Sequence, residues 1–260
     1  KCGFMQKIII SVCCGHMVRV VADICGSDPD VEIAAGIDLL TQPMEGFPVF
    51  ATPAACRVEA DAVIDFSHPA ALGGLLDFCT GRRLPIVLAT TGYSEEQLAQ
   101  ISQAAKTIPL FRSANMSLGV NVLMDLVRRA AALLGEDFDV EIEERHHRRK
   151  LDAPSGTALM LADTAASTLP YGTEYVYDRH SVRKPRDRRE IGISSLRGGT
   201  IVGDHTVVFA GRDEVIELSH HAARREVFAA GAVKAAKFLA SVDEPGLYDM
   251  SHLIAKDRGE

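Results

Sequence analysis

The chain has 260 residues, 47% of them hydrophobic and 24% charged, with a net charge of −7. That length fits one large domain or two modest ones with a core that needs no staples. The acidic balance excludes a protein that coats nucleic acid, whose phosphate backbone calls for a basic face. The longest apolar runs, at 86–89 and 120–126, fall short of the ~18 to 20 residues of a membrane span, and no charged start leads into an apolar run of the secretory kind. A cytoplasmic protein with no membrane partner is expected. Cys2, Cys13, Cys14, Cys25, Cys56 and Cys79 crowd the first third without C-x-x-C spacing, which suits free thiols in a reducing compartment.

The apolar run Lys7-Ile-Ile-Ile-Ser11 predicts a first strand, followed by a helix over 17–25. Further short runs at 31–35, 62–66, 85–89 and 109–111 predict strands, with helical patterns at 69–80 and 94–106 between them. Ser94 followed by Gln97 reads as a capping box that opens the last of these helices. Strands of this length alternating with helices imply βαβ units and a parallel, doubly wound sheet, the Rossmann-like α/β class. After residue 117 the pattern changes. A long amphipathic helix is expected over 119–135, an alternating, half-exposed strand over 138–144, a charged cluster, a helix over about 155–168 and a polar stretch over 171–190. The runs at 191–196, 203–210 and 214–219 read as antiparallel strands. A last helix over 226–240 is expected to pack back on the first domain. Residues 1–117 with 226–260 would then form a discontinuous dinucleotide-binding domain, and 118–225 an α+β domain with a mixed or antiparallel sheet for substrate binding and tetramerisation.

The densest stretch is Glu144-Arg-His-His-Arg-Arg-Lys-Leu-Asp-Ala-Pro-Ser-Gly-Thr-Ala158. Five nitrogenous side chains, His146, His147, Arg148, Arg149 and Lys150, precede a Pro-Ser-Gly-Thr segment suited to opening a helix. Helix N-termini present unpaired N–H groups and partial positive charge, so nearby cations complete a pocket for a carboxylate or phosphate. Histidine adds a proton that can be given up near neutral pH. Arg148 and Arg149 read equally well as solvating a loop. A metal is not expected, because adjacent histidines diverge and no third ligand is near in sequence.

This segment resembles the signature of the 4-hydroxy-tetrahydrodipicolinate reductase (dihydrodipicolinate reductase) family, E-x-H-H-x-x-K-x-D-A-P-S-G-T-A. Similar matches run almost end to end: Asp65-Phe-Ser-His-Pro69, Ala89-Thr-Thr-Gly92, Ser113-Ala-Asn-Met-Ser-Leu-Gly-Val-Asn121, Arg197-Gly-Gly-Thr-Ile-Val-Gly-Asp-His205 and Gly246-Leu-Tyr-Asp-Met250. The resemblance implies hydride transfer from a reduced nicotinamide to an unsaturated cyclic dicarboxylate, then protonation of the adjacent position, in lysine and diaminopimelate biosynthesis. It implies His146 as general acid with Lys150 as its partner, and His147, Gly156 and Thr157 as substrate-carboxylate contacts. It further implies cofactor contacts at Gly15, His16, Met17, Asp38, Ala89, Thr91, Ala114 and Met116, and a homotetramer.

The family's glycine loop, G-x-x-G-[RK]-M-G, is altered here. Gly15 and Met17 are kept, while Val12 and Val18 replace glycines and His16 replaces a basic residue. A β-branched residue at 12 resists positive φ and projects toward a phosphate path. Asp38, about twenty residues on, sits where an acid binds the adenosine ribose hydroxyls. With Leu39 beside it and no cation at 16, NADH is expected in preference to NADPH. Three readings stand open on these residues. One is a working reductase with a relaxed nucleotide loop, another a catalytically impaired, dicarboxylate-binding or regulatory protein, and the third a reductase adapted to a related imine or carbonyl acid.

Overall fold

The computed structural model describes residues 5–11, 16–40 and 46–258, with the side chains of residues 16–18, 257 and 258 outside that description. In chain order the elements are β1 (Gln6–Ser11), α1 (His16–Ser27), β2 (Val31–Ile37), β3 (Val49–Phe50), β4 (Ala62–Asp65), α2 (Leu72–Arg82), β5 (Ile86–Leu88), α3 (Glu95–Ala104), β6 (Pro109–Arg112) and α4 (Leu118–Leu134). They continue with β7 (Asp139–His146), α5 (Gly156–Ala166), β8 (Glu174–Val176), β9 (Glu190–Arg197), β10 (Gly203–Ala210), β11 (Val215–Ala222), α6 (Glu226–Leu239), β12 (Gly246–Tyr248) and α7 (Met250–Arg258). The chain divides into two compact units, residues 1–118 with 226–260 and residues 119–225.

The first unit is built on a seven-stranded sheet in the order β12-β6-β5-β4-β1-β2-β3, parallel at every pairing. Its central strands are buried on both faces, as Ile8, Ile9, Ile10, Val63, Ile64 and Val87 show, which is why they read as continuous apolar runs instead of alternating ones. Helices α1, α6 and α7 cover one face and α2 and α3 the other. Because β1 lies between β2 and β4, the winding reverses beside it, and a crevice opens outside the carboxyl ends of the strands at such a point.

Two details depart from the sequence pattern, and a third follows it. The helix expected from residue 69 begins with a 3₁₀ turn, Pro69–Ala71, whose Ala70 N–H is accepted by the His68 ring; α2 proper starts at Leu72. The edge strands β3 and β12 have two and three residues, too few to show a period of two. The capping box at Ser94 and Gln97 is formed in both directions.

The second unit carries a five-stranded sheet, β11-β10-β7-β9-β8. Helices α4 and α5 cover one face, packing Leu123, Val127, Leu161 and Ala165 against Val140, Ile142, Ile193, Val207 and Phe209. Here one expectation is corrected. Strands β7, β10 and β11 are antiparallel neighbours, but β9 runs parallel to β7, because α5 and the stretch after it carry the chain back across the sheet in a crossover. That polar stretch also holds a strand, β8, parallel to β9. Ion pairs order it in place of an apolar pattern: Arg186 binds Asp139 and Glu141, while Arg179 and Lys184 bind the buried Glu190. No described helix is long and apolar enough to cross a membrane.

Candidate active site

Strand β7 runs two residues beyond the sequence-based boundary, and its alternation continues. Val140, Ile142, Glu144 and His146 are buried, whereas Glu143 and Arg145 are exposed. A strand places every second residue on one face, so the face that is apolar at Val140 and Ile142 becomes polar at Glu144 and His146. The register supplies their neighbours: Glu144 lies between His205 of β10 and Ser195 of β9, and His146 beside Arg197. The start of α5 comes down on the same spot, since Ser155 contacts both Glu144 and His205.

Glu144 is fully buried. Its Oε1 accepts from Arg197 Nη2 at 2.7 Å and from the Ser155 backbone N–H at 3.2 Å; its Oε2 lies 2.8 Å from Arg197 Nη1 and 2.5 Å from His146 Nδ1. Burial alone would raise its pKa, but hydrogen bonds from Arg197, Ser195 and His146 outweigh that and hold it at about 2. An ionised carboxylate can only accept, so His146 carries hydrogen on Nδ1. Nε2 is left as the nitrogen able to give or take a proton. It faces Gly203, where an added Cβ would lie 3.0 Å away.

His205 stacks edge-on to His146 with ring centroids 5.2 Å apart. Burial, then the neighbouring His146, push its pKa down to about 4, so it is neutral at physiological pH. Its Nε2 meets Ser155 Oγ at 2.9 Å, and the same oxygen caps α5 by accepting from the Ala158 N–H at 3.1 Å.

The loop after β7 brings the other signature residues near. His147 is half-buried, and its pKa is lowered by burial and then by Arg225, Arg149, His146 and Lys150. Its Nε2 lies 3.4 Å from Arg225 Nη2. Lys150 pairs with Asp152 at 2.9 Å, and Gly156 and Thr157 are the first two residues of α5. Cations and a helix start converge on one region, which can receive an anion. Arg148 and Arg149 are exposed. Among the described residues no group of His, Cys, Asp or Glu could hold a metal.

In the first unit, the remaining sequence-predicted contacts gather at the carboxyl edge of the sheet. Asp38 follows β2, donating its N–H to Phe50 O and accepting the Leu40 N–H on Oδ1. Ala89 and Thr91 follow β5, and Ala114 and Met116 follow β6. Ala114 is exposed, but Met116 is buried in the core beneath α6, so its side chain packs inward. Val12 and Gly15 lie outside the described residues; His16, Met17 and Val18 open α1, their side chains likewise outside the description.

Sequence reasoning missed Glu144, Ser155, Arg197 and His205 as members of the site, although all four lie inside motifs it had singled out. It missed Asp65 as well. That carboxyl, buried at the end of β4, binds the Ser67 N–H and the Thr90 hydroxyl and so ties two of the carboxyl-edge turns together. Burial raises its pKa against hydrogen bonds from Ser67, Ser11 and Thr90.

Residues 6–116 match the family described as "Dihydrodipicolinate reductase, N-terminus" and residues 119–254 its "C-terminus" counterpart. Among curated proteins, the chain is 52% identical to a 4-hydroxy-tetrahydrodipicolinate reductase of Caldanaerobacter subterraneus over 97% of this chain and 99% of that protein. It is 47% identical to the Clostridium botulinum protein of the same name over 96% and 98%. Among solved structures, a dipicolinate-bound dihydrodipicolinate reductase from Paenisporosarcina sp. TG-14 superposes with a TM-score of 0.80 at 24% identity, covering 95% of this chain and 98% of that one. A myo-inositol dehydrogenase from Corynebacterium glutamicum shares the fold more distantly, at a TM-score of 0.58 and 14% identity over 92% and 89%. With both halves matched and half of its residues shared with a relative along nearly its whole length, the chain belongs to the dihydrodipicolinate reductase family.

Proposed function

We propose that the chain is an oxidoreductase that converts 4-hydroxy-tetrahydrodipicolinate to tetrahydrodipicolinate, in lysine and diaminopimelate biosynthesis. The observation that carries this reading is His146: a buried imidazole whose Nδ1 is held by a carboxylate, leaving Nε2 as the nitrogen that can give or take a proton, beside a cation-rich helix start. Lys150, His147 and the N-terminal residues Gly156 and Thr157 would hold a dicarboxylate by charge and backbone N–H groups. His146 Nε2 would deliver the proton to the ring carbon next to the one that accepts hydride, and Lys150 would offset the charge that develops before that transfer.

A reduced nicotinamide dinucleotide, when bound, supplies the hydride. The strand order supports its place at the carboxyl edge, where Gly15, His16, Met17, Asp38, Ala89, Thr91, Ala114 and Met116 would hold it, Met116 through its backbone. NADH is the expected partner: the Asp38 carboxylate suits free ribose hydroxyls and repels a 2′-phosphate, and the neighbouring Leu39, 89% exposed, offers that phosphate no charge. A cytoplasmic homotetramer completes the proposal. Its support is the five-stranded sheet, covered by helices on one face, while Val215, Glu217, Ser219 and His221 of β11 are exposed on the other.

Calorimetric titration of NADH and NADPH, each with and without pyridine-2,6-dicarboxylate, tests this together with dinucleotide oxidation on added substrate. Micromolar NADH binding, tighter than NADPH, with turnover is expected. Dicarboxylate binding with no dinucleotide binding would remove hydride transfer from the account and leave a ligand-binding protein.

A further inference from the structure

We propose that Glu144, clamped by Arg197, is a positioning residue that sets His146 as an Nδ1–H imidazole and locks that ring to the start of α5. The inference rests on the reading of His146 as proton donor.

A carboxylate has about four acceptor sites, and four donors at hydrogen-bond distance fill those of Glu144, with the Ser195 side chain beside them. Each oxygen takes one arm of the Arg197 fork; Oε2 adds His146 Nδ1 and Oε1 adds the Ser155 N–H. A saturated, fully buried carboxylate has no freedom to rotate, so the imidazole plane is set by strand β9 through Arg197 and by α5 through Ser155. A buried ion pair serving stability alone would need only the guanidinium. Here the same two oxygens join the proton donor to the helix start that would receive the substrate carboxylate, so acid and substrate are held in one frame. Carboxylate–imidazole pairs of this kind fix the tautomer and raise the basicity of the ring.

The groups around the ring are Glu144 and, behind it, Arg197 on β9, with His147 and Lys150 in the following loop and His205 on β10. His205 is the neutral neighbour, held by Ser155 Oγ. When Nε2 gives up its proton, the imidazolium becomes a neutral ring with Nδ1–H still bonded to Glu144, and no second proton moves.

The test compares E144Q, which keeps shape and loses charge, with the parent protein. Turnover is expected to fall about a hundredfold, with the alkaline limb of the kcat–pH profile displaced to lower pH and the NADH dissociation constant within about twofold. The double variant E144Q/H146Q is expected to be no slower than H146Q alone. Nitrogen-15 resonances of His146, assigned by their loss in H146Q, should report protonated Nδ1 in the neutral ring of the parent and a tautomer mixture in E144Q. Unchanged turnover and pH limb in E144Q, or an Nε2–H tautomer in the parent, would overturn the proposal. If E144Q does not fold, R197K breaks the fork while keeping the cation, and the same pH limb and tautomer decide. A parent protein that binds its ligands without turnover would count against the reductase reading alone, because the tautomer still decides the role of Glu144.

Discussion

At Gly203 the distance from an added Cβ to His146 Nε2 is 3.0 Å and to Cδ2 3.4 Å. The backbone there accepts alanine without a left-handed penalty, since Gly203 is not among the positive-φ glycines. A methyl group would therefore be felt by the imidazole. Either the ring turns and strains its 2.5 Å contact with Glu144, or β10 retreats against ladders that pair it with both β7 and β11. The ring is the softer of the two. Gly203→Ala is expected to lower kcat by about tenfold or more, with a stability loss of no more than about 1–3 kcal/mol from overpacking. Steady-state rates and urea midpoints on the same preparations check both numbers. A variant with parental kcat would show that Nε2 is not the working nitrogen.

Among the elements, α6 shows how a returning helix is seated. A Cβ at Gly231 would lie 1.7 Å from the Met116 carbonyl oxygen, a backbone atom that cannot swing aside. Without that side chain the helix comes close enough to bury Ala229, Ala232, Val233, Ala235 and Ala236 in the first unit's core. Gly231→Ala is expected to push α6 outward and cost about 3 kcal/mol or more. Gly26→Ala near the end of α1, where nothing lies within 4 Å, should gain up to about 1 kcal/mol from helix propensity. Chemical denaturation of the pair separates close approach from a general dislike of alanine. The same elements mark what could be read in advance. Apolar periodicity located the five inner strands of the parallel sheet and the helices between them, though not the short edges β3 and β12, and the alternation at 138–144 named the buried face of β7. The end of that strand was hidden, because a buried Glu and His look like the start of a charged loop. Arg197 lies 53 residues from Glu144, and no local pattern reveals such a pairing. The direction of β9 was equally hidden, since it depends on where the crossover through α5 returns.

Acid stability is a property of the whole molecule, and its buried titrating groups pull in opposite directions. His205, in the second unit, is depressed from 6.5 to about 4 by burial and by His146. A depressed folded pKa contributes stability that is complete above pH 6.5 and lost as pH falls toward 4, because the unfolded chain takes up the proton first. His147 and His220 are shifted the same way, each first by burial. Glu144 acts lower, its contribution present above about 4.5 and lost as pH falls toward 2. Asp65, in the first unit, is raised by burial. Its native carboxyl takes up a proton before the unfolded chain does, so acidification relieves a cost there. Between pH 6.5 and 4 the histidine effect therefore opposes the Asp65 effect, and a full shift of the size seen at His205 corresponds to roughly 3 kcal/mol. His205→Gln keeps an amide within reach of Ser155 Oγ and removes that titration. Its urea midpoint is expected to fall less than the parent's between pH 6.5 and 4, and to follow the parent's slope below pH 4, where Glu144 takes over. Equal slopes in both windows would mean that His205 already carries a proton in the folded protein, and that the neutral neighbour of His146 must be sought elsewhere.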